Sequence, residues 1–464
     1  MQTIAIVGRP NVGKSTLFNA LTRSQRALVA DEPGVTRDRL YGVADLEGRS
    51  FILVDTGGIV EAGTDLEAEM FQQTRLAILE ADLVLWVVDA HAGVTSADIT
   101  LAQALRKADK KLIVLMNKCE NVPVDHAIAE FASLGFKSMV PISAAHRSGL
   151  YELAVDIADA LPPEPEETVS ETQSDAIKVA IIGRPNVGKS TLINRLLGEE
   201  RVVVFDAPGT TRDSIYIPYQ QGEQHYLLID TAGVRRRGRI EEKVEKFSIV
   251  KTLKAVEEAH IVILLLDATE NITDQDLHLL SFVEEQGKSL IIAANKWDHL
   301  PLDQREFIKR ELERRLCFVD YAPIFFISAL HGSNVGSLLD MVNKAYVSAT
   351  SKISTHKINE LMEVAIKTHQ PPLVNGRRVK LRYAHLGGNA PPTIVVHGNQ
   401  VASLPRAYKR FLANFFREKL KLVATPVRMI FREGENPFKE KKNTLTPRQY
   451  AKRQRLIKNR KRNE

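Results

Sequence analysis

Lys14 and Lys189 each sit near the end of the same nine-residue stretch, "GRPNVGKST", which begins at Gly8 and again at Gly183. The spacing G-x-x-x-x-G-K-[ST] suits a backbone that must wrap a phosphate. Gly8 and Gly13, and likewise Gly183 and Gly188, let N–H groups turn toward an anion, and the lysine adds a cation that reaches the β- and γ-phosphates. Ser15 and Ser190 offer a hydroxyl to Mg²⁺. Arg9, Pro10, Asn11, Val12 and Thr16 complete the candidate contacts of the first loop. Arg184, Pro185, Asn186, Val187 and Thr191 complete those of the second.

ATP- and GTP-using proteins share this loop, so the base must be read elsewhere. Asn295, Lys296, Trp297 and Asp298 follow the apolar run "SLIIAAN". There a carboxylate can accept from guanine N1–H and N2–H₂, a donor pair that adenine lacks. The stretch looks like the Asn-Lys-x-Asp motif of GTPases, with the Lys296 stem over the ring and "SAL" at Ser328 and Ala329 presenting an amide to O6. The first copy reads Asn117, Lys118, Cys119 and Glu120, with Ser143 and Ala144 further on. Glu120 is one methylene longer than aspartate, so it must tilt or sit back to make the same bonds. GTP is the expected ligand of both copies, and the sequence does not rank their affinities. Cys119 beside the base predicts sensitivity to thiol reagents.

The γ-phosphate end is read the same way. Asp55 and Asp230 end strands, where a carboxylate supports Mg²⁺. They open the stretches Thr56, Gly57, Gly58, Ile59 and Thr231, Ala232, Gly233, Val234, in which Gly58 and Gly233 can donate to the γ-phosphate. Thr36 and Thr211 resemble the switch threonines that close on Mg²⁺. The metal set is thus Ser15, Thr36 and Asp55 in one copy, and Ser190, Thr211 and Asp230 in the other.

The elements that must position these residues follow from the apolar runs. "TIAIVG", "SFILVDT", "DLVLWVVDA" and "KKLIVLMN" in the first copy match "IKVAIIG", "QHYLLIDT", "HIVILLLDA" and "SLIIAAN" in the second, in the same order with drifting spacing. They are apolar on both faces and separated by helix-length segments, which predicts two doubly wound α/β domains with ligands at the strand C-termini. The boundaries read as 1–161 and 177–349, joined by a flexible acidic linker at 162–176, "PPEPEETVSETQSDA". Beyond about residue 350 the pattern becomes helix, strand, strand, helix, strand, a small α+β domain at 350–436. A mobile basic tail follows at 437–464.

Charge is segregated along the chain. Of the formal +6, residues 351–438 hold 15 Lys/Arg against 5 Asp/Glu and the tail 11 against 2, so the first 350 residues are acidic. A polyanionic partner is expected for the last part alone. No apolar run is long enough to span a bilayer, and Met1 leads straight into a strand-like run, not a signal peptide. Two cysteines fit a reducing cytoplasm, with Cys317 read as a small core residue.

With the paired loops, the acidic linker and the C-terminal "RMIFREGENPF", the sequence resembles the bacterial tandem GTPases of the EngA (Der) family over residues 1 to about 438. The resemblance implies a GTP-hydrolysing, ribosome-associated switch needed for large-subunit assembly. It also implies a KH-like third domain, binding of rRNA or a ribosomal precursor, and a cytoplasmic protein, read as a monomer. Lys14, Asn11, Thr36 and Gly58, with Lys189, Asn186, Thr211 and Gly233, are then the candidate catalytic groups.

Several features depart from the usual patterns. Ile59 and Val234 stand where many GTPases carry a glutamine that orients water. In similar GTPases the loop asparagine helps hold K⁺, which gives Asn11 and Asn186 that role or the simpler one of shaping the loop. Arg235, Arg236, Arg237 and Arg239 form a cluster that either meets rRNA or acidic protein in one nucleotide state, or is a solvated helix start. The third domain carries "LGGNAPPT" where a G-x-x-G clamp would be. Arg377, Arg378, Lys380, Arg382, Arg406, Lys409 and Arg410 are the candidate phosphate contacts instead. A binding scaffold with incidental hydrolysis, and a tRNA-modification GTPase, are the competing readings.

Overall fold

The runs that are apolar on both faces become the central strands of two sheets. The computed structural model describes residues 1–22, 28–30, 39–56, 74–108, 110–136, 138–162, 176–198, 215–230, 249–374 and 377–433, excepting the side chains of 28–30, 39, 121, 215, 230, 374, 377 and 378. The first domain contains β1 (Gln2–Val7), β2 (Leu28–Ala30), β3 (Arg39–Leu46), β4 (Arg49–Asp55), β5 (Leu83–Asp89), β6 (Lys111–Asn117) and β7 (Met139–Pro141), in the order β2-β3-β4-β1-β5-β6-β7. Strands β4, β1, β5, β6 and β7 are parallel, and β2 and β3 form an antiparallel edge. Its helices include α1 (Lys14–Leu21), α2 (Ser96–Ala108), α3 (Val124–Ala132) and α4 (Leu150–Ala160), and residues 74–80 are also helical.

The second domain repeats the plan. Its strands β8 (Ile177–Ile182), β9 (Ile215–Gln221), β10 (Gln224–Asp230), β11 (Ile261–Asp267), β12 (Ser289–Asn295) and β13 (Ile324–Phe326) run in the order β13-β12-β11-β8-β10-β9. Its helices are α5 (Lys189–Gly198), α6 (Ile249–Glu258), α7 (Asp274–Gln286), α8 (Leu302–Arg315) and α9 (Val335–Thr350). All seven residues of β5 and all seven of β11 are buried. Such a strand needs cover on both faces, so each sheet is a middle layer between helices. In each domain the first strand lies between its two parallel neighbours, β4 and β5 or β10 and β11, and its C-terminal end opens the crevice where such sheets bind ligands.

The third domain has α10 (Thr355–Thr368), a short pair β14 (Leu373–Val374) and β15 (Arg377–Arg378), then β16 (Lys380–Gly388), β17 (Thr393–Asn399), α11 (Arg406–Lys419) and β18 (Arg428–Glu433). β16 and β17 are antiparallel, whereas β17 and β18 are parallel, a pairing that requires the crossover supplied by α11. The apolar stripe Ile358, Leu361, Met362 and Ala365 of α10 is buried, as are Tyr408, Leu412, Phe415 and Phe416 of α11. This is the three-stranded α+β arrangement expected from the pattern.

Two compact units result: residues 1–351 with 389–392 and 420–426, and the remainder from 352 onward. Within the first unit, the Leu290 amide donates to the Ala424 carbonyl at 2.9 Å, and the Ser289 and Thr425 hydroxyls lie 3.0 Å apart. The short 420–426 segment therefore belongs beside β12. Cys317 is exposed, against the expectation of a core residue: it opens a single 3₁₀ turn, Cys317–Val319, whose buried member is Val319. The linker from 163 to 175 and the tail lie outside the described residues. Among the described residues no helix is long and apolar enough to cross a membrane.

Trp86 on β5 is fully buried and meets the Phe136 ring edge-on at 5.4 Å. Trp86→Ala should destabilise the first domain by about 3–5 kcal/mol, read as a lower unfolding midpoint by circular dichroism.

Candidate functional site

Each phosphate loop follows the first parallel strand of its domain and ends on a helix whose first residue is the loop lysine. The helix N-terminus brings unpaired amides and the positive end of its dipole to the crevice. Lys14 is 4% exposed and Lys189 5%. The Lys14 ammonium donates to the Arg9 carbonyl at 2.8 Å, and that of Lys189 to the carbonyls of Gly183 and Arg184 at 3.1 and 2.7 Å. Burial holds Lys14 below the ordinary lysine pKa, with Asp55 opposing that shift and Arg9 adding to it. A desolvated cation beside a helix N-terminus is a site ready for an anion.

The glycines of the loop are required by close approach. Gly13 has φ +96°, and a Cβ there would stand 2.3 Å from Asn117 Nδ2; Gly188 has φ +99° and the same 2.3 Å to Asn295 Nδ2. That asparagine is a bracket. Asn117 Nδ2 donates to the Val12 carbonyl at 2.8 Å while its Oδ1 accepts from the Ala144 amide at 2.9 Å, and Asn295 holds Val187 and Ala329 at the same two distances. The Ser143 and Ser328 amides donate across to Ser148 and Ser333. The Ser328 amide that sequence reasoning pointed at guanine O6 is here bonded within its own loop, and it is the Asn117 and Asn295 side chains that knit the base-side loop to the phosphate loop.

At the base end Glu120 and Asp298 have equivalent partners, Ser143 and Ser328. Both carboxyls lie below their usual pKa, Glu120 through its own backbone amide and then the Ser143 hydroxyl, Asp298 chiefly through the Ser328 hydroxyl. The longer side chain thus finds the equivalent serine, and both groups are anionic acceptors placed on equivalent loops. Trp297 packs its ring 4.2 Å from that of Phe326. The surroundings of Cys119 oppose the expected thiol sensitivity: the Sγ donates to the Met116 carbonyl at 3.1 Å and burial pushes the thiol pKa up.

At the metal end the Ser15 hydroxyl donates to Asp55 Oδ2 at 2.7 Å, and Asp55 is 1% exposed. A hydroxyl and a buried carboxylate brought together beside the phosphate loop are hard oxygen donors of the kind Mg²⁺ takes. Asp230 ends β10 as Asp55 ends β4. Thr56 is a clip between strands, since its hydroxyl and amide both donate to the Ile6 carbonyl at 2.9 and 3.3 Å. Gly57, Gly58, Ile59, Thr36, Thr211, Thr231, Ala232, Gly233, Val234 and the arginines 235–237 and 239 lie outside the described residues.

Two pairs of aspartates escaped the sequence reading. Asp89 ends β5 and accepts from Lys118 Nζ at 2.6 Å, while the same ammonium donates to the Asn11 carbonyl at 2.9 Å; Asp267 holds Lys296 in the same way. Burial opposes the charge on Asp89, but Lys118 and the amides of His91 and Ala92 outweigh it and keep the carboxyl below its ordinary pKa. The motif lysine is therefore fixed at its tip as well as available along its stem. The second pair lies at the start of α2 and α7. Asp276 closes a capping box with Thr273 and also accepts Arg184 Nε at 3.0 and 3.1 Å, with Glu270 taking the other arm at 3.0 Å. In the first copy Arg9 Nε lies 3.4 Å from Asp98 Oδ2, a looser version. The signal available in sequence was an identical Asp-Ala after each apolar strand and a T-x-x-D in each copy.

Asp276→Ala removes the return half of the capping box and leaves Arg184 without its nearly buried partner. Second-domain stability should fall by about 3 kcal/mol, and GDP binding at that site should weaken. Asp98→Ala should cost less because its contact is longer. Thermal unfolding with titration of a fluorescent GDP separates the two.

The family described as "50S ribosome-binding GTPase" matches residues 3–118 and 178–296, and the one described as "KH-domain-like of EngA bacterial GTPase enzymes, C-terminal" matches 352–432. The chain is 56% identical to the GTPase Der of Hahella chejuensis, covering 98% of this chain and 96% of that protein. It is 53% identical to the GTPase Der of Klebsiella pneumoniae, covering 98% of each. Among solved structures, the G domain of the Thermotoga maritima FeoB iron transporter is 30% identical, covering 34% of this chain and 98% of that one, with a TM-score of 0.28. With two phosphate loops, two guanine-reading loops and the third domain all inside these matches, the chain belongs to the Der (EngA) family of tandem GTPases.

Proposed function

We propose that both GTPase domains hydrolyse GTP with the residues described above, and that their nucleotide states govern attachment to the large ribosomal subunit or its precursor. The observation that carries this is the duplication of one complete constellation: a buried lysine, a bracketing asparagine and a serine-anchored carboxylate in each domain, all at strand C-terminal ends. Lys14 and Lys189 stabilise charge on the transferring phosphoryl group, and Glu120 and Asp298 select guanine. Ser15 with Asp55, and Ser190 with Asp230, would hold Mg²⁺, joined by Thr36 and Thr211. The ion's chemistry is to neutralise phosphate charge. The basic third domain and tail supply the affinity for rRNA, and the protein acts as a monomer.

Co-sedimentation with ribosomal subunits in GTP, GDP and a nonhydrolysable analogue tests the switch. Association that differs between GTP and GDP is expected, and identical association in all three states would overturn it. Asp298→Asn replaces an acceptor by an amide donor opposite the guanine N–H groups. The second domain should lose at least about tenfold in GTP affinity and gain affinity for xanthosine triphosphate, whose C2 carbonyl accepts.

K⁺ joins the proposal through Asn11 and Asn186. Both are exposed and left-handed, with φ of 65° and 62°, and the position where a glutamine would orient water is Ile59 or Val234. The expected outcome is faster turnover in K⁺ than in Na⁺ buffer with equal nucleotide binding, the difference being lost at the second site in Asn186→Ala.

A further inference from the structure

One side of the third-domain sheet faces its helices. There Ala384, Ile394 and Val396 are buried, Asn359 of α10 bonds both the amide and the carbonyl of Ala384, and Lys409 of α11 lies over the Phe431 ring at 5.2 Å. Residues directly opposite in a ladder share a face. The pairings Tyr383 with His397, His397 with Arg432, and Thr393 with Arg428 therefore build the other side.

That side carries a cluster of three aromatic rings. Tyr383 lies 5.8 Å from His385 and 6.1 Å from His397, and the two imidazoles stack at 5.3 Å with planes 25° apart. His385 Nδ1 lies 3.1 Å from the Leu386 carbonyl, which can only accept, so that nitrogen holds the proton. His385 Nε2 then accepts from His397 Nε2 at 3.2 Å, which locks the rings together. Tyr383 is 46% exposed. Lys380, Arg382, Arg428 and Arg432 on the three strands are all exposed, and the single acid of these strands is Glu433 at the end of β18.

A locked aromatic surface rimmed by cations matches unpaired nucleobases joined by phosphates. Double-stranded RNA hides its base faces, and an acidic peptide has no use for the rings. We propose that this sheet face is a single-stranded RNA site, in which exposed Tyr383 and the half-buried His385–His397 pair stack on bases while Arg428 and Arg432 contact phosphates. It deepens, and rests on, the reading that the third domain meets rRNA.

The test is fluorescence anisotropy of the full-length protein with a labelled single-stranded RNA about eight nucleotides long, within the range of known single-strand sites, over a series of salt concentrations. Tyr383→Ala and His397→Ala should each weaken binding about tenfold with an unchanged salt slope. Tyr383→Phe should bind within about twofold of the parent, which also controls for folding. Arg428→Ala should lower the salt slope by about one. Alanine variants that keep their melting temperature and bind as tightly as the parent would overturn the stacking site while leaving RNA binding by the domain intact. Equal affinity for a duplex of the same length, or competition by poly-glutamate and not by unlabelled RNA, would overturn it in favour of charge alone or an acidic partner. No RNA binding by the parent protein would sink the underlying reading as well.

Discussion

Placing an ammonium where water cannot reach it is the demand around which each GTPase domain is organised. A desolvated charge is costly unless fixed polar groups surround it, and Lys14 and Lys189 meet it with carbonyls of their own loops. Those carbonyls point inward because the loop turns sharply between a buried parallel strand and a helix. The strand must therefore be central, its neighbours parallel and both faces covered. The seven-residue buried strands β5 and β11 are part of the same requirement. Fold and site are one problem, solved twice in this chain.

The two solutions differ in tightness. Arg184 is held by two carboxylates at hydrogen-bonding distance, whereas Arg9 has a longer contact to one. At the base, Glu120 reaches Ser143 where Asp298 reaches the equivalent Ser328, with an extra methylene to restrain. More side-chain freedom must be lost on binding at the first site. The domains share chemistry but differ in how much order exists before ligand arrives.

The duplicated loops and central strands were legible because their signals are local: glycine and lysine at fixed offsets, and apolar runs ending in Asp, Asn or Gly. The three strands of the third domain were legible for the same reason. What escaped depends on pairs far apart in sequence. Asp89 meets Lys118, and Asp276 meets Arg184 across 92 positions, only after the strands are ordered. The role of Asn117 was half visible, since its motif pointed to the base while its actual bonds run to Val12 and Ala144. Cys317 was misplaced in the core because burial depends on the packing around a residue and is not written in its type.

The asparagine bracket has a geometric consequence. One planar amide fixes the gap between the loop that meets phosphates and the loop that meets the base, and the glycine beneath it leaves no room for adjustment. On the proposed assignment of these two loops, the distance between phosphates and base is set within the protein before a ligand arrives, as the jaws of a locked caliper are.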